Sequence, residues 1–504
     1  MKCGKVYLMG AGPGDPGLIT VKGLERLRKA DVVIYDRLID DSLLEQACPE
    51  AEKIYVGKGR GCHALEQKEI NLLMVSKARE GKIVVRLKGG DPFVLGRGGE
   101  EAEILAANNI PFEVMPGVSS AYAVPAYAGI PMTHRRLASS FTVITGHEDP
   151  EKGMSSIAWD KISTGSDTLV FLMGMGSLAK IVRQLIKNGR SPSTPIAVVS
   201  QGTSPEQRTA VGTLEDIINL TKKAGFEPPA VIVVGEVVRL REHLRWFDNL
   251  PLFGKRVLVT RAEYQASELS KLLLECGAMP IQMPVIRISP PPTWKELDQI
   301  ILNLKSYGWI IFTSVNAVEM FWKRLNSMNL DSRWLSGIKI GAIGPATSKA
   351  LAEKGIHPDY VPKIYTSQGF LAELKKADIA GCRVLLPRAD IAGNELTDGI
   401  IKLGATVKQI TAYKTAISTK GVSQGKRMLL RGEIDVITFT SASTVNSLLA
   451  ILGQEWEVIK QVKLACIGPN TAAALTHKGL KADIVAAEHT IPGLVEAIEQ
   501  HFKG

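Results

Sequence analysis

The stretch GAGPGDPG, Gly10 to Gly17, lies between an apolar run and a helical pattern, where a glycine-rich loop would cradle a phosphate. Its chemistry argues against a diphosphate. Pro13 and Pro16 have no N–H to donate, and Asp15 puts a negative charge where the phosphates would lie. A phosphate-poor ligand with a cationic centre suits such a loop better, and S-adenosylmethionine is one. A tight strand-to-helix turn with no ligand is the alternative that the loop alone leaves open.

Such residues need elements to hold them. The runs KIVVRLKGGDP, DTLVFLMGMG, TPIAVVSQG and PAVIVVGEVV alternate with helical patterns, which predicts α/β layers. A chain of 504 residues exceeds one ordinary core. Near Asn249, Pro251 and Gly254 the pattern restarts, so two domains are expected, 1–246 and 255–504, with 247–254 as linker. The second half repeats itself. GKRVLVTRA from Gly254 returns as GCRVLLPRA from Gly381, WIIFTSVNAV as VITFTSASTV, and IGPATSKAL as IGPNTAAAL. Arg261 and Arg388 are separated by the same number of residues as Phe312 and Phe439. Two similar lobes enclosing a cleft follow from that.

Composition narrows the class. Hydrophobic residues at 45% and charged residues at 22% fit a soluble globular protein, and no apolar run is long enough to span a bilayer. The N-terminus enters a strand at once, so no signal peptide is expected. The six cysteines are scattered and form no C-x-x-C pair, which argues against zinc or any other metal centre and against a disulfide framework, and favours a cytoplasmic setting. The formal charge of +10 is compatible with an anionic partner. Nucleic acid is one candidate, although no concentrated basic tract is seen; a small polyanionic substrate is equally compatible, and a merely solvated basic surface is the plain alternative. The expectation taken forward is a small-molecule substrate with no nucleic acid and no membrane partner.

Together, GAGPGD, VRLKGGDPFVLGRGGEE, MPGVSSAYAVPAYAGIPMTHR, VITGH, FLMGMG and PAVIVVGEVV closely resemble the tetrapyrrole methylase family, in particular its uroporphyrinogen-III C-methyltransferases, from Val6 to about Trp246. The resemblance implies a two-lobed α/β fold distinct from the Rossmann methyltransferases, a homodimer, and S-adenosylmethionine between the lobes. It places the cofactor against Pro13, Gly89, Gly90, Asp91, Val94, Ser119, Ser120, Met173, Gly202 and Ala230. Glycines let backbone approach a ligand, and Asp91 can bond a hydroxyl or an ammonium. Core packing is the alternative for Met173. Asp36 and Lys58 match the family's proposed proton acceptor and donor. A carboxylate at a strand end can stabilise positive charge on a methylated ring and take its proton, although such a residue is more often merely solvated. Arg60, Arg86, Lys88, Arg97, His134, Arg135 and Arg136 are candidates for gripping acidic side arms.

The half from Gly254 onward resembles uroporphyrinogen-III synthase through FTSVNAV, IGPATSKAL, LLPRA, FTSAST and IGPNTAAAL. The resemblance implies two similar lobes, 255–289 plus 417–504 and 293–416, joined by a two-strand ladder. Its crossings lie near Ile288–Pro292, where SPPPT is stiff, and Thr415–Gly421. The implied reaction closes hydroxymethylbilane with inversion of the last ring and needs no cofactor. Repeated G-P-x-T turns offer N–H groups at helix N-termini to carboxylates. Substrate candidates are Arg261, Thr313, Ser314, Gly344, Thr347, Arg388, Ser441, Ser443 and Thr471; helix capping is the ordinary role of Ser and Thr there. Tyr413 in ITAYKT matches the tyrosine proposed in the family to protonate the leaving hydroxyl, with an ordinary strand tyrosine as the alternative.

The expectation is therefore a bifunctional enzyme that makes uroporphyrinogen III and methylates it twice, at C2 and C7, towards sirohaem and cobalamin. With no dehydrogenase–ferrochelatase module before Met1, it should stop at precorrin-2. Two alternatives remain open on the sequence: a methylase of the same family acting on another substrate, such as RNA or a protein, and a second half that binds tetrapyrroles without catalysis.

Overall fold

A computed structural model describes residues 3–57, 65–147, 157–377, 379–391, 393–418 and 421–503. The chain divides into two compact units, Met1–Gly254 and Lys255–Gly504.

In the first unit, β1 (Lys5–Gly10), β2 (Val32–Tyr35), β3 (Glu52–Tyr55), β4 (Ile83–Lys88) and β5 (Phe112–Met115) form an all-parallel sheet in the order β3-β2-β4-β1-β5. Its central strands are buried on both faces, as their near-continuous apolar runs require. Val6, Leu8, Ile34 and Val84 enter one core layer; Tyr7, Met9, Val33 and Val85 enter the other. A second sheet contains β6 (Phe141–Thr145), β7 (Thr168–Leu172), β8 (Pro195–Ser200), β9 (Arg208–Thr213) and β10 (Ala230–Val234), in the order β6-β7-β10-β8-β9. Only β6 and β7 pair in parallel; β10 runs against β7 and β8, and β9 against β8. Because the first sheet is parallel, its loops after β1, β2, β4 and β5 all emerge at one edge, where ligands of open α/β sheets bind.

The stretch 247–254, read from its Pro and Gly punctuation as a linker, is instead packed into the first unit. Phe247 and Leu252 are buried. The Phe247 ring lies 4.9 Å from that of Tyr127 and 5.4 Å from that of Phe253. Asp248 pairs with Arg241 and accepts from the Gln207 amide at 3.0 Å. Two apolar anchors and a half-buried ion pair outweigh the local turn signals.

The second unit contains β11 (Arg256–Val259), β12 (Met279–Gln282), β13 (Ile286–Ser289), β14 (Trp309–Phe312), β15 (Lys339–Ala342), β16 (Arg383–Ala389), β17 (Thr406–Ile417), β18 (Val436–Phe439), β19 (Lys463–Cys466) and β20 (Ile484–Val485). They form two sheets, β12-β11-β18-β19-β20 and β13-β17-β16-β14-β15. The repeated blocks are exchanged between them. The early β11 pairs with the late β18, Val257 opposite Val436, while β14 pairs with β16, Trp309 opposite Val384. These are equivalent positions of the repeat, so both sheets use one register. The exchange makes the chain cross twice, and β13 lies antiparallel to the far end of β17, from Ile286 opposite Ile417 to Ser289 opposite Lys414. Pro290, Pro291 and Pro292 follow β13 directly, where no further ladder donors are needed.

Phe321 of the helix Val315–Ser327 is fully buried, 5.6 Å from the ring of Phe312 and 5.5 Å from that of Trp322. Phe321→Ala should destabilise the second unit by about 3–5 kcal/mol and leave the first unit's transition in place. Calorimetric unfolding of the whole chain checks this; an equal displacement of all transitions would refute it.

Candidate functional site

At the carboxyl edge of the first sheet three loops meet backbone to backbone. Gly12 N–H donates to Gly90 O at 3.3 Å, and Gly90 N–H returns a bond to Gly12 O at 2.6 Å. A Cβ on Gly117 would overlap the Gly90 carbonyl oxygen and crowd Gly10 Cα. Gly90 itself has φ +68°, and a Cβ there would meet only Ser119 and the Ser120 amide, at ordinary contact distance. Asp91 ties the turn together. Its Oδ1 accepts from the N–H of Phe93 (2.7 Å) and Val94 (3.1 Å), and its Oδ2 from Gly117 N–H (2.9 Å). Three of its roughly four acceptor positions are thus occupied within the protein.

The GAGPGD loop is also fastened to residues far along the chain. Asp15 N–H donates to Thr203 Oγ1 (3.1 Å), its Oδ1 accepts from Gly17 N–H (2.7 Å), and its Oδ2 accepts from the Tyr127 hydroxyl (2.6 Å). Burial first, and the Asp15 carboxylate second, push the Tyr127 phenol well above the usual tyrosine range, so it remains a donor. Thr203 N–H in turn donates to Gln207 Oε1 at 3.0 Å. Pro13 is half-buried in this loop.

The loops after β7 and β8 hold three non-glycine residues in the left-handed region: Met173 (φ +56°), Gln201 (φ +51°) and Thr203 (φ +68°). Such backbone is strained and clusters at ligand sites. Met173 is 53% exposed, so core packing does not account for it. Gly202 lies between the other two and packs on Val124. Ser119 caps the helix Ser120–Tyr127, accepting from Ala121 N–H at 3.2 Å, and Ala230 opens β10. Tyr127, Gln201, Thr203 and Gln207 had no local signal, since each also has a partner far along the chain: Asp15 for Tyr127 and Thr203, Pro229 for Gln201 and Asp248 for Gln207.

Asp36 follows β2. Its Oδ1 accepts from Leu38 N–H at 3.1 Å, and its Oδ2 is 3.6 Å from Arg86 Nη2. Arg86 and Lys88, expected to grip substrate carboxylates, are buried in β4 and engaged with Glu101, at 3.2 Å and 2.9 Å. Alternation along the strand turns both side chains inward, onto the helix Gly98–Ala107. Burial, with the Arg86 charge adding to it, holds the Lys88 ammonium below its usual range against the pull of Glu101. Arg97 pairs with Glu100 at the surface; Arg135 and Arg136 are exposed and His134 partly so. Lys58 and Arg60 lie outside the described residues.

In the second unit, the candidates gather at helix N-termini. Ser314 caps Val315–Ser327 and Ser441 caps Ala442–Leu452, at equivalent positions of the repeat. Ser314 Oγ lies 3.1 Å from the buried Tyr413 hydroxyl, whereas Ser441 Oγ lies 2.8 Å from Ser443 Oγ. Thr313 is half-buried beside Ser314. Gly344 caps Pro345–Glu353, in which Thr347 is buried, and Thr471 is buried in the matching helix Pro469–Thr476. Arg261 is half-buried after β11. Arg388 is buried near the end of β16, beside a register shift, and its Nη1 donates to Gly393 O at 2.7 Å. Burial lowers its pKa, and the Tyr413 phenol opposes this. Among the described residues no group of three or more His, Cys, Asp or Glu side chains is placed to hold a metal ion.

Residues 5–218 match the family model of Tetrapyrrole (Corrin/Porphyrin) Methylases, and residues 267–496 match that of Uroporphyrinogen-III synthase HemD. A porphyrin biosynthesis protein HemD of Ruminiclostridium josui is 40% identical over 99% of this chain and 98% of its own length. A uroporphyrinogen-III C-methyltransferase of Methanocaldococcus jannaschii is 55% identical over 47% of this chain and 98% of its own. An S-adenosyl-L-methionine-dependent uroporphyrinogen III methyltransferase of Methanosarcina barkeri is 52% identical over 48% of this chain and 94% of its own.

The contact between backbones at Gly117 has a measurable consequence. Gly117→Ala should cost about 1–3 kcal/mol through overpacking, read as a lower unfolding midpoint of the first unit. Gly99→Ala, whose Cβ would meet nothing within 4 Å, should not lower it. Equal midpoints for wild type and Gly117→Ala would show that the loops yield freely.

Proposed function

The chain belongs to the tetrapyrrole methylases over its first unit and to the uroporphyrinogen-III synthases over its second, and from that premise we propose that it carries out two consecutive steps of tetrapyrrole synthesis. The second unit closes hydroxymethylbilane to uroporphyrinogen III with the last ring inverted. The first unit methylates that product at C2 and C7 to precorrin-2, which serves sirohaem and cobalamin formation. One observation carries this reading: both family matches lie in one chain, and a relative matched end to end is named for porphyrin biosynthesis.

The cofactor is S-adenosylmethionine, which when bound supplies an electrophilic methyl group on a sulfonium. The residues present fit it. A Cβ on Gly90 would reach only ordinary contact with Ser119 and Ser120, the exposed Met173 offers an apolar contact, and Pro13 and Pro16 withhold N–H donors that a diphosphate would need. Pro13, Gly89, Gly90, Asp91, Val94, Ser119, Ser120, Met173, Gly202 and Ala230 would line the cofactor. Asp36 would stabilise the positive charge that methylation places on the ring and take the proton that the macrocycle then loses from a nitrogen or a bridging carbon, its carboxylate held by Leu38 N–H and paired with Arg86. Lys58 belongs to the same reading as proton donor. Homodimerisation through the first unit and a cytoplasmic setting are part of this proposal; no helix among the described residues is long and apolar enough to cross a membrane.

In the second unit Tyr413 would give its phenol proton to the departing hydroxyl, oriented by Ser314. The N-termini of the helices that begin at Val315, Pro345, Ala442 and Pro469, with Arg261 and Arg388, would receive the substrate's carboxylates. Incubation of the whole protein with hydroxymethylbilane and S-adenosylmethionine tests the reading: the product should be the dimethylated type III macrocycle. The spontaneous uninverted isomer would refute the synthase role, and an unmethylated product the methylase role.

Two variants separate the steps. Asp36→Ala should slow single-turnover methyl transfer on the order of 10²–10⁴-fold while cofactor affinity stays near that of the wild type; an unchanged rate would remove Asp36 from the chemistry. Tyr413→Phe should slow cyclisation on the order of 10²-fold and leave methylation of supplied uroporphyrinogen III unaltered. Normal cyclisation would make Tyr413 an ordinary strand residue.

A further inference from the structure

Glu101 is fully buried, yet it carries a carboxylate that no substrate can reach. Its Oε1 accepts from Arg86 Nε (3.2 Å), Lys88 Nζ (2.9 Å) and Gln67 Nε2 (3.1 Å); the same Gln67 nitrogen also bonds Asn71 Oδ1 (3.0 Å). Its Oε2 is buried with no hydrogen-bond partner among the described residues. Arg86 is fixed on the other side as well, since its Nη1 donates to Ile34 O (3.3 Å) and Leu87 O (3.2 Å). That leaves Nη2, which faces Asp36 Oδ2 at 3.6 Å.

We infer that Glu101 is a positioning residue for methyl transfer, acting through Arg86 to hold the Asp36 carboxylate in its working orientation. The inference rests on the reading of Asp36 as the proton acceptor. Burying a carboxylate between two cations is no gain in stability over apolar packing of the same volume, because desolvation offsets the attraction. The depressed pKa of Lys88 reflects that cost. What the cluster supplies is direction. The planar Arg86 fork spans from a helix residue to two strands and has a single donor edge left, and Asp36 is the side chain on it. Among the described residues the Asp36 carboxylate has one other partner, Leu38 N–H on Oδ1, so its second oxygen depends on Arg86 for its place.

A double-mutant cycle in the full chain tests this. Glu101→Gln should slow single-turnover methyl transfer about tenfold, leave S-adenosylmethionine affinity by titration calorimetry unchanged, and cause no further loss in an Asp36→Ala background. The same slowing in both backgrounds, or none in either, would overturn the inference. Arg86→Lys keeps the buried charge but not the fork, and is put through the same cycle if Glu101→Gln does not fold. Failure of both to fold would assign the cluster to stability alone and also overturn it. Should Asp36→Ala by itself leave the rate unchanged, the reading of Asp36 falls; a slow Asp36→Ala with additive Glu101→Gln leaves that reading standing and removes only the role of Glu101.

Discussion

Three pieces of backbone touch at the carboxyl edge of the first sheet, and the rest of that site is arranged around the contact. Gly10 ends β1, Gly90 follows β4 and Gly117 follows β5, and no side chain separates them. Close approach lets Gly12 and Gly90 exchange hydrogen bonds and lets Asp91 reach Gly117 N–H. With the polar groups of these loops used on one another, the edge is rigid before any ligand arrives. Rigidity of this kind reduces the ordering cost of binding. It also explains why polar bonds cross from the first sheet to the second: a loop held on one side can be held on the other by Thr203 and Tyr127 without collapsing the space between.

Beneath the same edge the protein accepts a costlier arrangement. Arg86, Lys88 and Glu101 lie where parallel strands ordinarily bury aliphatic residues. The backbone carbonyls of Ile34 and Leu87 share the guanidinium with Glu101, so the charges are paired as well as enclosed. An unpartnered carboxylate oxygen remains, and that is the mark of a site in which satisfaction is subordinate to placement.

Much of this was legible in the chain. Residues close in sequence declared themselves: the glycine turns, the strand-like runs, and the repeat whose common spacing of Arg261 to Arg388 and Phe312 to Phe439 implied two lobes. Partners brought together only by tertiary structure did not. Arg86 and Lys88 read as candidates for gripping acidic side arms because nothing local says that Glu101, in a first helical turn rich in acidic residues, will turn inward to meet them. The bond from Tyr127 to Asp15 spans 112 residues. Met173 gave no sign of its left-handed backbone, which only glycine would have announced. Phe247 lay among turn residues, and its burial was decided by the rings of Tyr127 and Phe253.

In the second unit, duplication provides the scaffold and departure from it provides the chemistry. Ser314 and Ser441 cap equivalent helices, and Ile343 and Ile467 N–H make the same bond to Phe312 and Phe439 carbonyls. Two copies with one register present matched sets of helix N-termini, suited to a substrate bearing carboxylates around a ring or along a chain. Symmetric grips cannot choose one end of such a molecule. The position of Tyr413 in the other copy is Ile286, which lies in the apolar core of its own lobe. Its equivalent serine accordingly bonds Ser443 instead of a phenol. The Tyr413 hydroxyl departs from the repeated frame. On the proposed reading it marks the lobe where the leaving group would depart, and the buried Arg388 near the phenol belongs to that lobe too. On that reading the asymmetry of the proposed reaction would be carried by a few residues that broke the repeat, while the repeat itself would hold the molecule.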